Sequence, residues 1–180
     1  MVEVLIAPLA GEVEARTCAK LMAESEPWLT LGRSYQSALT LLRDPTREVY
    51  VAHDQRGIAG FLILCMVGAF VGYIQSVAVQ PDRRGQGLGT QLIAFAERRI
   101  LAEYPNVFMC VSSFNTEAHR LYQRLGYQIV GELTDYIVHG QSEILLRKTV
   151  GPLAGRTGLT PDQGGTRETS TGMAPRPESS

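Results

Sequence analysis

Residues 77–90 read Val77-Ala78-Val79-Gln80-Pro81-Asp82-Arg83-Arg84-Gly85-Gln86-Gly87-Leu88-Gly89-Thr90. The valines alternate with smaller residues, as in a strand, and Pro81 should end that strand because it has no N–H for a ladder. Gly85, Gly87 and Gly89 allow a sharp turn and leave room for a ligand beside the backbone. Helical spacing of apolar residues begins at Leu88. The stretch therefore predicts a strand, a glycine-rich turn and the start of a helix.

This turn carries the features of an anion-binding site. A helix N-terminus presents unpaired N–H groups and the positive end of the helix dipole, and Arg83 and Arg84 add charge beside it. A Walker loop is excluded because no lysine follows the glycines. A dinucleotide fingerprint needs GxGxxG with an acid about 20 residues on, whereas the spacing here is GxGxG and Glu97 and Glu103 come too early. The residues predict a phosphorylated ligand, with an ordinary helix-entry turn as the alternative.

Length and composition limit the classes of protein that remain possible. A chain of 180 residues suits one domain with a real core, and a formal charge of −1 favours neither nucleic acid nor an anionic membrane as a partner. Cys18, Cys65 and Cys110 are odd in number and far apart, which predicts reduced thiols in a cytoplasmic protein. The apolar stretch 58–71 is too short to span a membrane and is read as a hairpin. The three histidines have no metal-ligand spacing.

The pattern along the chain alternates helices and strands and ends in a tail. Strands are expected at 2–8, 48–53, 58–67, 71–80, 107–111, 127–133 and 143–150, and helices at 12–24, 34–42, 88–103 and from Asn115 to Gly126. Gly151–Ser180 holds six of the 18 glycines and four of the nine prolines with no aromatic residue, so it is expected to be a disordered extension of a domain at 1–150.

A second motif makes the chain resemble a known family. It reads Asn115-x-x-Ala118-x-x-Leu121-Tyr122-x-x-x-Gly126-Tyr127. Together with Arg84-x-x-Gly87-x-Gly89, which fits the acetyl-CoA signature [QR]xxGx[GA], it resembles the GNAT superfamily of N-acetyltransferases. The resemblance implies an α/β (α+β) fold. In that fold a mixed sheet of six to seven strands splays at its fourth and fifth strands, and about four helices cover its two faces.

The resemblance also implies a site for acetyl-CoA as co-substrate. The residues implied as its contacts are Val77, Ala78, Val79, Arg84, Gly85, Gln86, Gly87, Leu88, Gly89, Thr90, Asn115 and Tyr122. In that role the Val77 N–H polarises the acetyl carbonyl, and Tyr122 protonates the leaving thiolate. Spacing alone favours Tyr122 as a core residue of the helix and Asn115 as a helix cap only.

The acceptor and the general base are less defined. The resemblance points to Trp28, Tyr35, Tyr73 and Tyr136 as acceptor contacts, although Trp28 and Tyr35 also suit helix packing. No carboxylate stands on the fourth strand. Glu24, Glu26, Tyr73 and a water chain near Ser112 remain open as the base.

Taken together, the expectation is an N-acetyltransferase in which a primary amine of a small molecule or peptide attacks acetyl-CoA directly. The alternatives are a protein N-terminal (ribosomal-protein-type) acetyltransferase, a non-catalytic acyl-CoA-binding module and a nucleotide-dependent enzyme. The expected partners are the amine alone, without nucleic acid, membrane or metal. A homodimer is left open.

Overall fold

The computed structural model describes residues 4–154. Residues 1–3, which include the first two positions of the first expected strand, and residues 155–180 of the expected tail lie outside the described residues. Within 4–154, no helix is long and apolar enough to cross a membrane.

The fold is one mixed sheet with helices on both faces, as the resemblance implies. The strands are β1 (Leu5–Pro8), β2 (Arg47–Asp54), β3 (Gly57–Cys65), β4 (Tyr73–Val79), β5 (Asn106–Ser112), β6 (Gln128–Thr134) and β7 (Ser142–Thr149). The helices are α1 (Gly11–Ala23), α2 (Tyr35–Leu42), α3 (Leu88–Leu101) and α4 (Thr116–Arg124), with a 3₁₀ turn at Pro81–Arg83. The strand order is β1-β2-β3-β4-β5-β7-β6, and β4–β5 is the parallel pair.

The side chains of strand β3 alternate between two hydrophobic cores, one on each face of the sheet. Leu62 and Leu64 pack with α3 on one face, while Phe61 and Ile63 pack with α1 and α2 on the other. All four side chains are fully buried. This period of two explains why the strand reads as a continuous apolar run: both of its faces are covered.

Side-chain caps open two of the helices, whereas a third begins without one. Ser34 Oγ accepts the Ser37 N–H at 3.1 Å to open α2, and Asn115 Oδ1 accepts the Ala118 N–H at 3.2 Å to open α4. In contrast, α3 opens at Gly87, a left-handed residue with φ +83° and no capping side chain. The first N–H groups of α3 therefore have no capping acceptor from a side chain.

The two middle strands separate after a short contact. β4 pairs with β5 only at Tyr73↔Phe108 and Ile74↔Met109. A register shift opposite Ile63/Leu64 leaves Gln75 as the extra residue of a β-bulge. From Gln75 to Val79, β4 has no partner on its β5 side, so the expected splay is present.

Candidate active site

A cleft of about 600 Å³ lies where β4 leaves β5. Its walls are the 26–28 segment, the end of β4, the glycine-rich turn with the start of α3, and α4. Eleven of the twelve residues expected to contact acetyl-CoA line it. They are Val77, Ala78, Val79, Arg84, Gly85, Gly87, Leu88, Gly89, Thr90, Asn115 and Tyr122. The twelfth, Gln86, directs its side-chain amide to the Asp82 carbonyl at 3.3 Å.

The glycines of the turn have different reasons to be glycine. Gly85 (φ +73°) and Gly87 (φ +83°) are left-handed, a conformation that a side chain disfavours, although each has open space around it. Gly89 has ordinary backbone angles, and a Cβ there would meet only Leu121 at 3.8 Å and Val79 at 4.0 Å. The left-handed backbone conformation therefore favours glycine at Gly85 and Gly87, whereas neither conformation nor packing requires it at Gly89.

The two arginines of the turn make different contacts. Arg83 Nε donates to Asp54 Oδ2 at 2.7 Å, and its Nη1 pairs with Asp82, so the side chain ties the turn to the β2–β3 hairpin. This guanidinium also lowers the pKa of the Asp54 carboxyl. Arg84 is exposed and donates to the Val79 carbonyl at 3.3 Å, and it forms no ion pair with any residue from 4 to 154.

Two further arginines at the cleft were missed by sequence reasoning. Arg120 and Arg124 lie one turn apart on α4, and both line the cleft. Their spacing of four residues, on the helix opened by Asn115, was the available signal. With Arg84 they make the cleft predominantly cationic, against Glu26 and Glu117.

Tyr122 projects into the cleft from α4 and is half-buried. Its ring packs edge-on against Tyr127, with 6.1 Å between the centroids. Its hydroxyl has no hydrogen-bond partner in the described part of the chain. Burial raises the pKa of Tyr122 to about 12, so the phenol is protonated throughout the neutral range.

The four residues expected at the acceptor are dispersed. Trp28 is buried and lines the cleft. Tyr73 lies beside the Cys110 thiol, and burial raises the pKa of its phenol far above the usual range. Tyr136 is exposed in the β6–β7 connection. Tyr35 lies outside the cleft, on a surface depression that it shares with Glu24.

The expected general bases are dispersed as well. Glu24 lies with Tyr35, whereas Glu26 lines the cleft and accepts the Thr30 N–H at 3.2 Å. Ser112 donates its hydroxyl proton to Glu143 Oε1 at 2.5 Å. Glu143, which sequence reasoning did not single out, is only 5% exposed. The available signal was a carboxylate directly before the apolar run 144–146.

A mixed sheet that opens beside a glycine-rich helix entry, with a cationic cleft at the opening, is the arrangement that the resemblance implies for an acyl-CoA-dependent transferase. The chain belongs to the acetyltransferase (GNAT) family, whose model matches residues 14–127.

Two curated relatives match about half of the chain. A blasticidin-S acetyltransferase from Streptomyces morookaense is 31% identical over 90 residues, which cover 46% of this chain and 66% of that protein. An uncharacterized N-acetyltransferase from Methanocaldococcus jannaschii is 32% identical over 101 residues, 55% of this chain and 64% of that protein. The chain thus spans just under two thirds of the length of these relatives.

A solved structure shares the fold over most of the chain. An aminoglycoside 6'-N-acetyltransferase complexed with coenzyme A superposes with a TM-score of 0.66. It is 18% identical and covers 82% of this chain and 98% of that one. At this identity the likeness supports the architecture of the sheet and helices.

Proposed function

We propose that this protein transfers the acetyl group of acetyl-CoA to a primary amine of a small molecule, by direct attack within a ternary complex. One observation carries the proposal: the uncapped N-terminus of α3 and the unpaired edge of β4 open into the same cleft. The first suits a diphosphate and the second suits the amide-bearing pantetheine arm, and the two are joined through a single turn.

The residues of the turn fit the phosphate end. The Arg84 N–H donates to the Pro81 carbonyl at 3.3 Å, whereas the start of α3 has no capping side chain, and the α3 dipole favours an anion there. Arg84 adds a charge that no described carboxylate neutralises. Because Arg83 forms an ion pair with Asp54, its contribution is to stabilise the conformation of the turn.

The edge of β4 fits the thioester end. Val77 and Val79 retain backbone groups without a strand partner on the β5 side, which would pair with the amides of the arm as a strand does. The Val77 N–H would donate to the acetyl oxygen and stabilise the charge that develops on it. Among residues 4–154, no serine or cysteine lines the cleft, so attack by the amine itself is the simplest route.

The relatives favour a small-molecule acceptor over a protein N-terminus. One is named for acetylating blasticidin S, and solved structures with this fold include aminoglycoside and spermidine N-acetyltransferases. Location in the cytoplasm and dimer formation stay predictions.

An acceptor screen with detection of the released CoA thiol tests the proposal. Thermal shifts with CoA, ATP and NAD form the companion measurement, and CoA should stabilise the fold most. Stabilisation by CoA without turnover of any amine would make the protein an acyl-CoA-binding module. Stronger stabilisation by ATP or NAD would refute the proposal.

A further inference from the structure

A buried carboxylate lies on the sheet face opposite α3 and α4. On β7, Ile144 and Leu146 pack into the α3-side core, so alternation places Glu143 on the other face. The core beneath α1 and α2 on that face takes its strand residues from β2, β3 and β4. Glu143 therefore lies beside the helix pair and outside its core.

The carboxylate of Glu143 has an incomplete set of partners. Oε1 accepts the Ser112 hydroxyl at 2.5 Å. Within residues 4–154, Oε2 receives no hydrogen bond and no basic side chain pairs with either oxygen. A carboxylate that is 5% exposed and lacks a cation is unfavourable to bury. The site is thus suited to a positive group that the protein does not supply.

Strand pairing places this carboxylate one strand behind the gap between β4 and β5. Past its last pair with β4, Ile74↔Met109, strand β5 continues along the gap to Ser112. Ser112 in turn pairs with Glu143 on β7. The carboxylate therefore lies behind the β5 side of the gap, opposite the β4 edge that carries the Val77 N–H.

Other polar groups face Glu143 from two neighbouring elements. Tyr73 from β4 and Cys110 from β5 both interact electrostatically with it, and Tyr136 of the β6–β7 connection interacts with Tyr73. Burial raises the pKa values of Tyr73 and Cys110. Both groups are therefore neutral near pH 7, and neither supplies the missing charge.

We propose that Glu143 receives the acceptor as an ammonium ion and removes its first proton, so that the acceptors are cationic primary amines. This inference rests on the proposed acetyl transfer. It assigns the base to β7, whereas Tyr73 is too weakly acidic to form an anion at neutral pH.

The proton balance is complete with the groups present. The ammonium gives one proton to Glu143, and the neutral nitrogen forms a bond to the thioester carbonyl carbon. The C–S bond breaks, and the thiolate takes the hydroxyl proton of Tyr122. The second proton lost by the attacking nitrogen replaces it on Tyr122. Glu143 then returns its proton to water, so one proton is released per turnover.

The environment of Glu143 suits this role. Burial raises the pKa of its carboxyl, and the Ser112 hydrogen bond opposes that shift in part. A carboxylate with a raised pKa is a better base near neutral pH than an ordinary one.

The test compares Glu143→Gln with Glu132→Gln, an exposed glutamate on β6 that serves as the matched control. The substrates are n-butylamine, 1,4-diaminobutane and spermidine, assayed from pH 6 to 10. Glu143→Gln should lower kcat/KM about 100-fold or more at pH 7.5. The loss should shrink as pH rises towards the pKa of the amine, because the variant can use only amine already neutral in solution. A merely structural role would not produce that dependence.

A second variant tests the Ser112 contact. Ser112→Ala removes a hydrogen bond that stabilises the carboxylate, so the acid limb of kcat/KM should move to higher pH. An unmoved limb, or a Glu143→Gln profile like that of Glu132→Gln, overturns the inference while acetyl transfer itself stands.

Binding measured by calorimetry tests the inference even if no amine is turned over. 1,4-Diaminobutane is titrated into the CoA-saturated protein, with 1-butanol as the uncharged comparison. Wild type should bind the diamine at least 10-fold more tightly than Glu143→Gln does. Absence of binding by wild type, or equal binding by both, overturns the inference. Absence of turnover alone refutes only the proposed function.

Discussion

Replacing Tyr122 by phenylalanine removes one oxygen from the cleft wall. The ring remains against Tyr127, 6.1 Å away between centroids. The hydroxyl has no hydrogen-bond partner among residues 4–154, so its removal leaves no protein group unpaired. The free energy of unfolding should change by no more than about 0.5 kcal/mol.

The structure sets the size of the expected kinetic effect. Burial raises the pKa of Tyr122 to about 12, whereas a thiol titrates near 8.5. Full proton transfer from this phenol to a thiolate is therefore uphill by roughly 5 kcal/mol, at 1.36 kcal/mol per pKa unit. The hydroxyl acts better as a hydrogen-bond donor to the developing thiolate, with its proton replaced in the same step. Such charge-assisted bonds contribute about 1.5–3 kcal/mol, so kcat should fall about 10- to 150-fold.

The assay measures kcat by release of the CoA thiol and acetyl-CoA affinity by calorimetry. Tyr122→Phe should lower kcat and leave the affinity within about twofold, because the developing charge exists only in the transition state. Wild-type activity should show no loss from ionisation of Tyr122 up to about pH 10, since its pKa is raised.

Tyr127→Phe is the matched control. It removes the hydroxyl of the neighbouring ring. That hydroxyl is buried, and no partner among residues 4–154 lies in hydrogen-bonding geometry with it. Its kcat should stay within about twofold of wild type. An equal loss in both variants, or a loss of acetyl-CoA affinity in Tyr122→Phe, would refute the donor role.

Three further substitutions test the turn and the packing of the β2–β3 hairpin beside it. Arg84→Ala should weaken acetyl-CoA binding about 10-fold in calorimetry, and less at high salt because the charge is exposed. Gly60→Ala should lower the free energy of unfolding by about 1–3 kcal/mol in urea, because its Cβ would lie 2.4 Å from the Ala78 carbonyl oxygen. Arg83→Ala should lower Tm most at neutral pH. Asp54 has a depressed pKa in the fold, so the stability that it contributes is present above about pH 4 and is lost as pH falls through its folded pKa. The Tm difference from wild type should therefore close in acid.

Controls for these substitutions lie on the same elements or the same sheet. Arg98→Ala removes an exposed arginine near the far end of α3 and should leave acetyl-CoA affinity unchanged. Gly131→Ala adds a Cβ where nothing lies within 4 Å and should be tolerated. A Tm difference for Arg83→Ala that does not shrink as pH falls below about 4 would contradict the proposed ion pair with Asp54.

The sequence was most informative where one local pattern decides the structure. Glycines at left-handed positions, a proline at a strand end and capping side chains such as Ser34 and Asn115 act over a few residues. The order of helices and strands followed from these patterns, whereas the splayed sheet was implied by the family resemblance. Eleven of the twelve expected acetyl-CoA contacts line one cleft because they occupy two short motifs.

Tertiary structure decided the matters that depend on side chains from distant segments. Arg83 and Arg84 are neighbours in sequence, yet only Arg83 meets Asp54, because the β2–β3 hairpin lies beside the turn. Glu143 meets Ser112 only through the register of β7 on β5. Tyr35 resembled an acceptor contact in the sequence, but it faces another surface. Periodicity along a chain reports burial of a face, whereas strand register and splay determine which buried or charged groups meet across the sheet.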